Sequence, residues 1–293
     1  VERTDGDFAD RESTVGYDLL FTDVNYNKIP FEIEQTFSDG NYLAWVRLPQ
    51  LANGTQIKVL YGNPQATTDP SSELTWPLHY KAVWHMNGTA TDATANNLDG
   101  TPNGVTAVTG IIGNGLDFNG SNSNIYLGNN LSTIQNVERV TFSGWINADA
   151  LSGVLIGLSV NDGGQLSRAM MDFNDDDSIR LGGRAPDSDG MDTYKSPENV
   201  LTETNYYITG TIDYANKNMS FHIPTLGDFS NLEVFTNDAT DDTPSGNAAI
   251  GSEDNGSGSH FDGMMDEWRV SLLDPSANWV TTEYNNQSDP ATF

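Results

Sequence analysis

The chain has 293 residues, with 41 acidic and 13 basic side chains for a formal net charge of −28, and no cysteine. That balance argues against nucleic acid and anionic lipid as partners, which need clustered Lys and Arg, and it rules out a disulfide framework or a thiolate metal site. No apolar run approaches the roughly 18 residues of a membrane span, while 37% hydrophobic and 10% aromatic residues give a core-forming chain.

In chain order, residues 1–16 are polar and read as a lead-in, and the start at Val1, with no signal peptide visible, points to a mature or excised segment. Four strand-like segments follow: Tyr17–Phe21, Ile29–Glu34, Tyr42–Leu48 and Gln56–Tyr61. Phe31 and Ile33 alternate with Glu32 and Glu34, the period of a half-buried strand. Asp39-Gly40-Asn41 and Ala52-Asn53-Gly54 supply turns between them. Residues 65–78 are rich in Pro, Ser and Thr and form the expected boundary.

Beyond it, short apolar runs recur between Gly, Asn and Asp clusters: Ala82–Met86, Leu116–Phe118, Ile125–Leu127, Val140–Ile146, Val154–Leu158, Ala169–Phe173, Ser178–Leu181, Tyr206–Ile212, Asn218–Ile223, Leu232–Phe235, Ala248–Ile250 and Gly263–Ser271. So many punctuated strands predict an all-β fold, a two-sheet antiparallel sandwich. Asn278–Tyr284 is the one segment with a helical reading.

Two sets of motifs carry a resemblance. Asp18–Asp23, Ile29–Glu34, Trp45-Val-Arg-Leu-Pro49 and Leu60-Tyr-Gly-Asn63 look like a bacterial domain of unknown function that commonly precedes laminin-G-like domains. Val83-Trp-His-Met-Asn87, the Asp/Asn/Gly loop up to Thr101, and Gly110–Gly120 resemble the opening of laminin-G-like, concanavalin-A-type jelly rolls. Phe261–Ser271 and Trp279–Phe293 are similar to the closing strand and tail of that group. The resemblance implies a jelly-roll sandwich over residues 79–293 and a small amino-terminal β region, residues 1–70, packed against it. Residues 150–250 carry little family signal.

Calcium is the first chemistry to weigh, because a hard cation needs roughly six to eight oxygens. The loop Asp92–Asp99 offers two carboxylates and two Asn side chains, and Asp266 joins them if the first and last strands are neighbours. The resemblance implies a structural calcium, matched here at Asp92, Asn97, Asp99 and Asp266. The same Asx residues also serve as turn caps bonded to their own backbone. The acidic runs Asp172–Asp177 and Asp238–Asp242 lack EF-hand spacing and read as solvated hairpin tips.

Sugar-binding surfaces stack rings on exposed aromatics. Trp45, Trp84 and Trp145 sit in apolar strands and read as core, which leaves loop aromatics: Tyr194, His260 with Phe261, and Trp76. Arg184, Asp187 and Asp189 flank Tyr194, so Arg184, Asp187, Asp189, Tyr194 and His260 form the candidate ligand set. Catalytic patterns are missing. Glu32 and Glu34 alternate but lie in the amino-terminal region, and Asp266 and Glu267 are adjacent and so expected on opposite sheet faces. The four histidines are scattered, and neither HExxH nor a Gly-x-Ser-x-Gly elbow occurs.

The resulting expectation is a non-catalytic, extracellular binding module of a bacterial adhesin, pilus-associated or other surface protein. Its partner is a cell-surface or extracellular glycan, or else a protein, with no nucleic acid and no membrane insertion, and it forms part of a larger polypeptide or assembly. The rivals are a polysaccharide-cleaving enzyme of concanavalin-A type and a spacer domain without a specific ligand.

Overall fold

The structure, a computed structural model, describes residues 16–36, 42–128, 134, 137–158, 169–183, 191–232, 248–253 and 258–289. Arg184, Asp187, Asp189, the Asp39–Asn41 turn and the Asp238–Asp242 run lie outside these residues. The chain divides into two compact units, one drawn from residues up to Leu78, the other spanning His79–Ser288.

The first unit contains β1 (Leu20–Thr22), β2 (Phe31–Thr36), β3 (Tyr42–Val46) and β4 (Lys58–Leu60). β1 pairs with β4 and β2 with β3, both antiparallel. Leu19, Phe21, Ile29, Phe31, Tyr42 and Ala44 fill its core, with the Phe21 and Phe31 rings 4.8 Å apart. The polar faces of β2 are put to use. Trp45 Nε1 donates to Glu34 Oε2 at 2.7 Å and Trp76 Nε1 to Glu32 Oε2 at 2.6 Å. Trp45 is therefore half-buried rather than core, and Trp76 is buried rather than presented to ligand. The Pro/Ser/Thr-rich segment is no loose tether: Ser72 N–H donates to Phe31 O, and Ser71 Oγ accepts from Ile33 N–H, both at 2.9 Å.

The second unit is an antiparallel sandwich of jelly-roll type. Its first sheet, eight-stranded among the described residues, runs β17 (Gly227–Leu232), β16 (Asn218–Ile223), β15 (Asn205–Asp213), β10 (Arg139–Ala150), β19 (Asp262–Ser271), β8 (Asn114–Asn119), β7 (Thr106–Thr109), with β5 (Tyr80–Trp84) also on β19. The second runs β14 (Asp192–Lys195), β13 (Ile179–Gly183), β12 (Ala169–Phe173), β11 (Val154–Leu158), β18 (Ala248–Ile250), β9 (Asn124–Gly128), β6 (Thr101–Asn103). Apolar side chains of both sheets, among them Phe118, Phe142, Ile146, Ile208, Met171, Leu181 and Ile250, form one buried cluster.

β10 shows how sequence builds the layer. Val140, Phe142, Ile146 and Ala148 point into the core, while Thr141, Ser143, Trp145 and Asn147 point the other way. Gly144 lies on the inner face because a Cβ there would meet the Trp268 ring at 2.8 Å. Such a close approach leaves room for glycine alone.

On the outer face of the eight-stranded sheet sits α1 (Ala277–Ser288), longer than the expected helical segment. Ser276 caps it, its Oγ accepting from Trp279 N–H at 3.3 Å. Val280 is fully buried against Trp145 and Tyr207, and Tyr284 lies 5.4 Å from the Trp145 ring. Gln287 Oε1 accepts from Trp145 Nε1 at 2.7 Å.

Candidate functional site

The oxygen-rich loop after β5 is tied to itself. Asp92 Oδ1 accepts from Val83 N–H (3.0 Å) and Thr94 N–H (2.9 Å), and Oδ2 from Thr94 Oγ1 (2.9 Å) and Leu98 N–H (2.8 Å). An ionised carboxylate has about four acceptor sites, so all of them are taken by N–H and O–H donors. Burial pushes the Asp92 carboxyl above its ordinary value, against the pull of these donors. Asp99 Oδ1 is likewise occupied by Asp92 N–H at 2.8 Å. Asn97 is exposed, stands at φ +53° and turns its amide onto Ala95 O.

Asp266 is fully buried, as a strand neighbour of Trp145, and its Oδ2 accepts from Ile111 N–H (2.7 Å) and Ile112 N–H (2.9 Å). Through these two bonds it anchors the turn between β7 and β8. Of the four residues proposed to hold calcium, Asp92 fits an ion poorly, because N–H and O–H donors fill its acceptor sites. Asp92 acts as the Asx cap of its own loop.

Asp266 and Glu267 do not face opposite surfaces. The β10–β19 register shifts between Ser143–Arg269 and Trp145–Asp266, with Glu267 at φ +55°. This bulge turns both acids to the outer face. Glu267 Oε1 is 2.8 Å from His85 Nδ1, and its Oε2 accepts from Arg269 Nη2 at 2.9 Å. Burial alone would raise Glu267, but His85 and Arg269 outweigh it and hold the carboxyl below its usual value. Arg269 Nη1 also reaches Glu283 Oε1 of α1 at 3.4 Å, and Tyr207 Oη donates to Glu283 Oε2 at 3.2 Å. The cluster fastens α1 to the sheet.

Of the proposed ligand residues that are described, Tyr194 lies on the edge strand β14, not in a loop, and packs 5.9 Å from the Phe221 ring. Half-buried there, it covers apolar surface. His260 is half-buried with Nδ1 3.2 Å from Ser123 O, and Phe261 is core, against Phe118 and Phe173. No hydrogen bond or ring contact among the described residues joins Tyr194 to His260. Asp172, expected on a solvated tip, is buried and paired with Arg180 across the ladder. Asp176 does lie exposed on the tip, where Lys195, Ser178 and Asn174 hold it well below the usual carboxylate range.

An open groove lies elsewhere, on the outer face of the eight-stranded sheet. Register places Asn205 of β15, Asn147 of β10, Met264 of β19, Asp117 of β8 and Thr106 of β7 in one row across five strands. Directly paired residues share a face, so the row is a continuous polar strip interrupted only by Met264. It runs through this open groove of about 480 Å³, walled by Val108–Ile111 on one side and by Asp149 and Glu203 on the other. Asn147 Nδ2 donates to Asn205 Oδ1 at 2.6 Å, which orients both amides.

The groove depends on a second bulge, between Ala148–Gly263 and Ala150–Asp262, that leaves Asp149 unpaired in the ladder. Gly263, at φ +133°, allows it: a Cβ there would stand 2.3 Å from Asn147 O. Glu203 is held at φ +55° by its N–H bond to Ala148 O at 2.8 Å. Burial, then the neighbouring Asp149 and Asp262, push the Asp117 carboxyl above its ordinary value. These residues were missed in the sequence. Their one signal there was the outward phase of β10, which puts Asn147 and Asp149 on the face of Trp145.

Residues 119–281, more than half of the chain, match the family model of the Concanavalin A-like lectin/glucanases superfamily, and residues 15–96 match a Domain of unknown function (DUF2341). No curated protein sequence matches the chain. Among solved structures, Domain 4 of AbnA, a GH43 extracellular arabinanase from Geobacillus stearothermophilus solved in complex with arabinotriose, is 19% identical with a TM-score of 0.53, covering 69% of this chain and 97% of that one. The binding domain of Paraclostridial Mosquitocidal Protein 1 is 14% identical with a TM-score of 0.56, covering 72% of this chain and 53% of that one. The botulinum neurotoxin serotype G binding domain is 11% identical with a TM-score of 0.50, covering 71% of this chain and 51% of that one. The chain thus spans about half the length of the two toxin binding domains. These likenesses establish the fold, and the family match establishes membership: the chain belongs to the concanavalin A-like lectin/glucanases superfamily.

Proposed function

We propose that the sandwich is a non-catalytic glycan-binding module, acting outside a bacterial cell as part of a larger surface or secreted protein, and that the outer-face groove is its binding site. The observation that carries this reading is the groove itself: about 480 Å³, within the range of small-ligand sites, with convergent amides and carboxylates over a Met264 floor. Sugar hydroxyls both donate and accept, and Asn147, Asn205, Asp117 and Asp149 supply both roles. The arabinotriose bound by Domain 4 of AbnA lends the ligand class support from a domain of the same fold.

The test is a glycan array followed by calorimetric titration of the best ligand against wild type, Asn147→Ala and Asn205→Ala. Binding weakened at least about tenfold in both variants, with melting unchanged, is expected, since each loses ligand hydrogen bonds of about 1.4 kcal/mol or more. Equal binding by all three proteins would overturn the site.

One observation favours a rival. Asp117, pushed above its ordinary value by burial and then by Asp149 and Asp262, shares the groove with a second carboxylate, Asp149, and glycoside hydrolysis uses a pair of carboxyl groups. Release of reducing ends from a polysaccharide, abolished by Asp117→Asn, would replace binding with hydrolysis. Binding without release supports the module.

A further inference from the structure

Every charged side chain that lines the groove among the described residues carries the same sign. Among the described residues that line it, Asp117, Asp149 and Glu203 are the ionisable ones, with no Lys, Arg or His. Asp117 and the β10 pair Asn147/Asp149 stand two strands apart across β19, roughly 10 Å at ordinary strand spacing. Met264 lies between them as an apolar floor. A ring seated on Met264 therefore has a carboxylate near either edge. Asp262 on the same stretch of β19 crowds Asp117 further. The whole molecule has a net charge of −28, so the far field has the same sign as the groove.

Resting on the glycan-binding reading, we infer that this groove selects glycans that carry ammonium groups, of the glucosamine type, over neutral ones and refuses glycans that carry carboxylates or sulfates. A ligand ammonium at the ring edge beside Asp117 or Asp149 offsets the mutual repulsion of the carboxylates and forms charge-assisted hydrogen bonds with the nearer one. A uronate or sulfate meets three like charges with no cation to neutralise it, and like-charge juxtaposition is how a site rejects a wrong partner. A neutral sugar meets only the hydrogen-bonding groups. The groove is open, so each charge contact is partly screened by water, and the preference falls as salt is raised.

The experiment titrates the full chain with three oligosaccharides of equal length: a glucosamine oligomer, its N-acetylated counterpart and an oligogalacturonate. The expected result is a glucosamine oligomer bound about tenfold more tightly than the N-acetylated one, a ratio that shrinks with added salt, and no binding of the oligogalacturonate. In the double variant Asp149→Asn/Glu203→Gln the ratio collapses toward one. In Asp175→Asn, which removes one charge from the distant hairpin tip, the ratio stays as in wild type, and this separates groove selectivity from general attraction to an acidic surface. An equal affinity for the charged and neutral oligomers, a ratio that survives the groove variant, or tight binding of the oligogalacturonate would overturn the inference. If neutral glycans bind and Asn147→Ala weakens them while the ratio is one, only the charge selectivity fails. If no oligosaccharide binds at all, the glycan reading itself fails.

Discussion

Gly110 and Asp266 are in closer contact than any side chain between them would allow. A Cβ on Gly110 would stand 2.6 Å from Asp266 Oδ2 and 2.8 Å from the backbone of Asn114 and Gly115. The same oxygen takes the amides of Ile111 and Ile112. One buried carboxylate thus holds the turn that forms a wall of the groove. Asp266→Ala leaves two amides without their acceptor and is expected to lower unfolding free energy by about 3 kcal/mol, with Gly110→Ala costing about 1–3 kcal/mol through overpacking. Urea denaturation measures both. A loss under about 0.5 kcal/mol in either variant would contradict this account.

A second expectation concerns calcium. Because N–H and O–H donors occupy the Asp92 carboxylate, the melting temperature should be the same in excess chelator and in excess calcium. Asp92→Ala, which deprives four donors of their acceptor, should cost about 2–4 kcal/mol under both conditions. A melting point that falls on chelation would restore the ion to this loop.

The helix–sheet cluster carries a pH signature. Burial raises Glu283 above its ordinary value, and Arg269 and Tyr207 only partly offset that. The folded state therefore holds this proton more tightly than the unfolded state does. The contribution is stabilising at low pH and is lost as pH rises from the ordinary carboxylate value through the raised one. Glu283→Gln removes the titration, so its stability relative to wild type should improve as pH is raised from about 4 toward neutrality. Chemical denaturation of both proteins across that range measures it. A difference that is flat, or falls with pH, would show that Glu283 is not raised.

Three glycines should rank by what their missing Cβ would strike. At Gly263 the obstacle is backbone, Asn147 O at 2.3 Å, and φ is +133°. At Gly144 it is the rigid Trp268 ring at 2.8 Å, and at Gly210 mainly the flexible end of Met171 at 2.6 Å. Substitution by Ala is expected to cost about 3 kcal/mol or more at Gly263, about 2 at Gly144 and about 1 at Gly210. Thermal denaturation of the three variants gives the order, and Gly210→Ala proving the most damaging would refute the reasoning.

Much of the sandwich was legible in particular runs. Val140–Ile146 and Tyr206–Ile212 lie within β10 and β15 because alternating apolar residues can bury one face only as strands. The strands that sequence did not reveal, β6, β7, β14 and nearly all of β17, lie at the ends of the two sheets, and Thr101-Pro-Asn103 of β6 and Thr106–Thr109 of β7 are largely exposed. An edge buries little, so its residues need no apolar pattern. The extent of α1 was hidden for a related reason. Only Val280 and Gln287 are buried on it, and its attachment is to Trp145, Tyr207 and Arg269, far away in sequence.

By itself the sequence determined the class of fold, because inward and outward phases are properties of each strand alone. It also determined the excess of negative charge. Which outward residues became neighbours was decided only when the strands paired. Asp117, Asn147, Asn205 and Met264 meet through registers between β8, β19, β10 and β15, and through a bulge that Gly263 makes possible. Registers of this kind are set by the packing of the opposite, buried face, so a groove on the outer surface is a by-product of core packing, visible only in three dimensions.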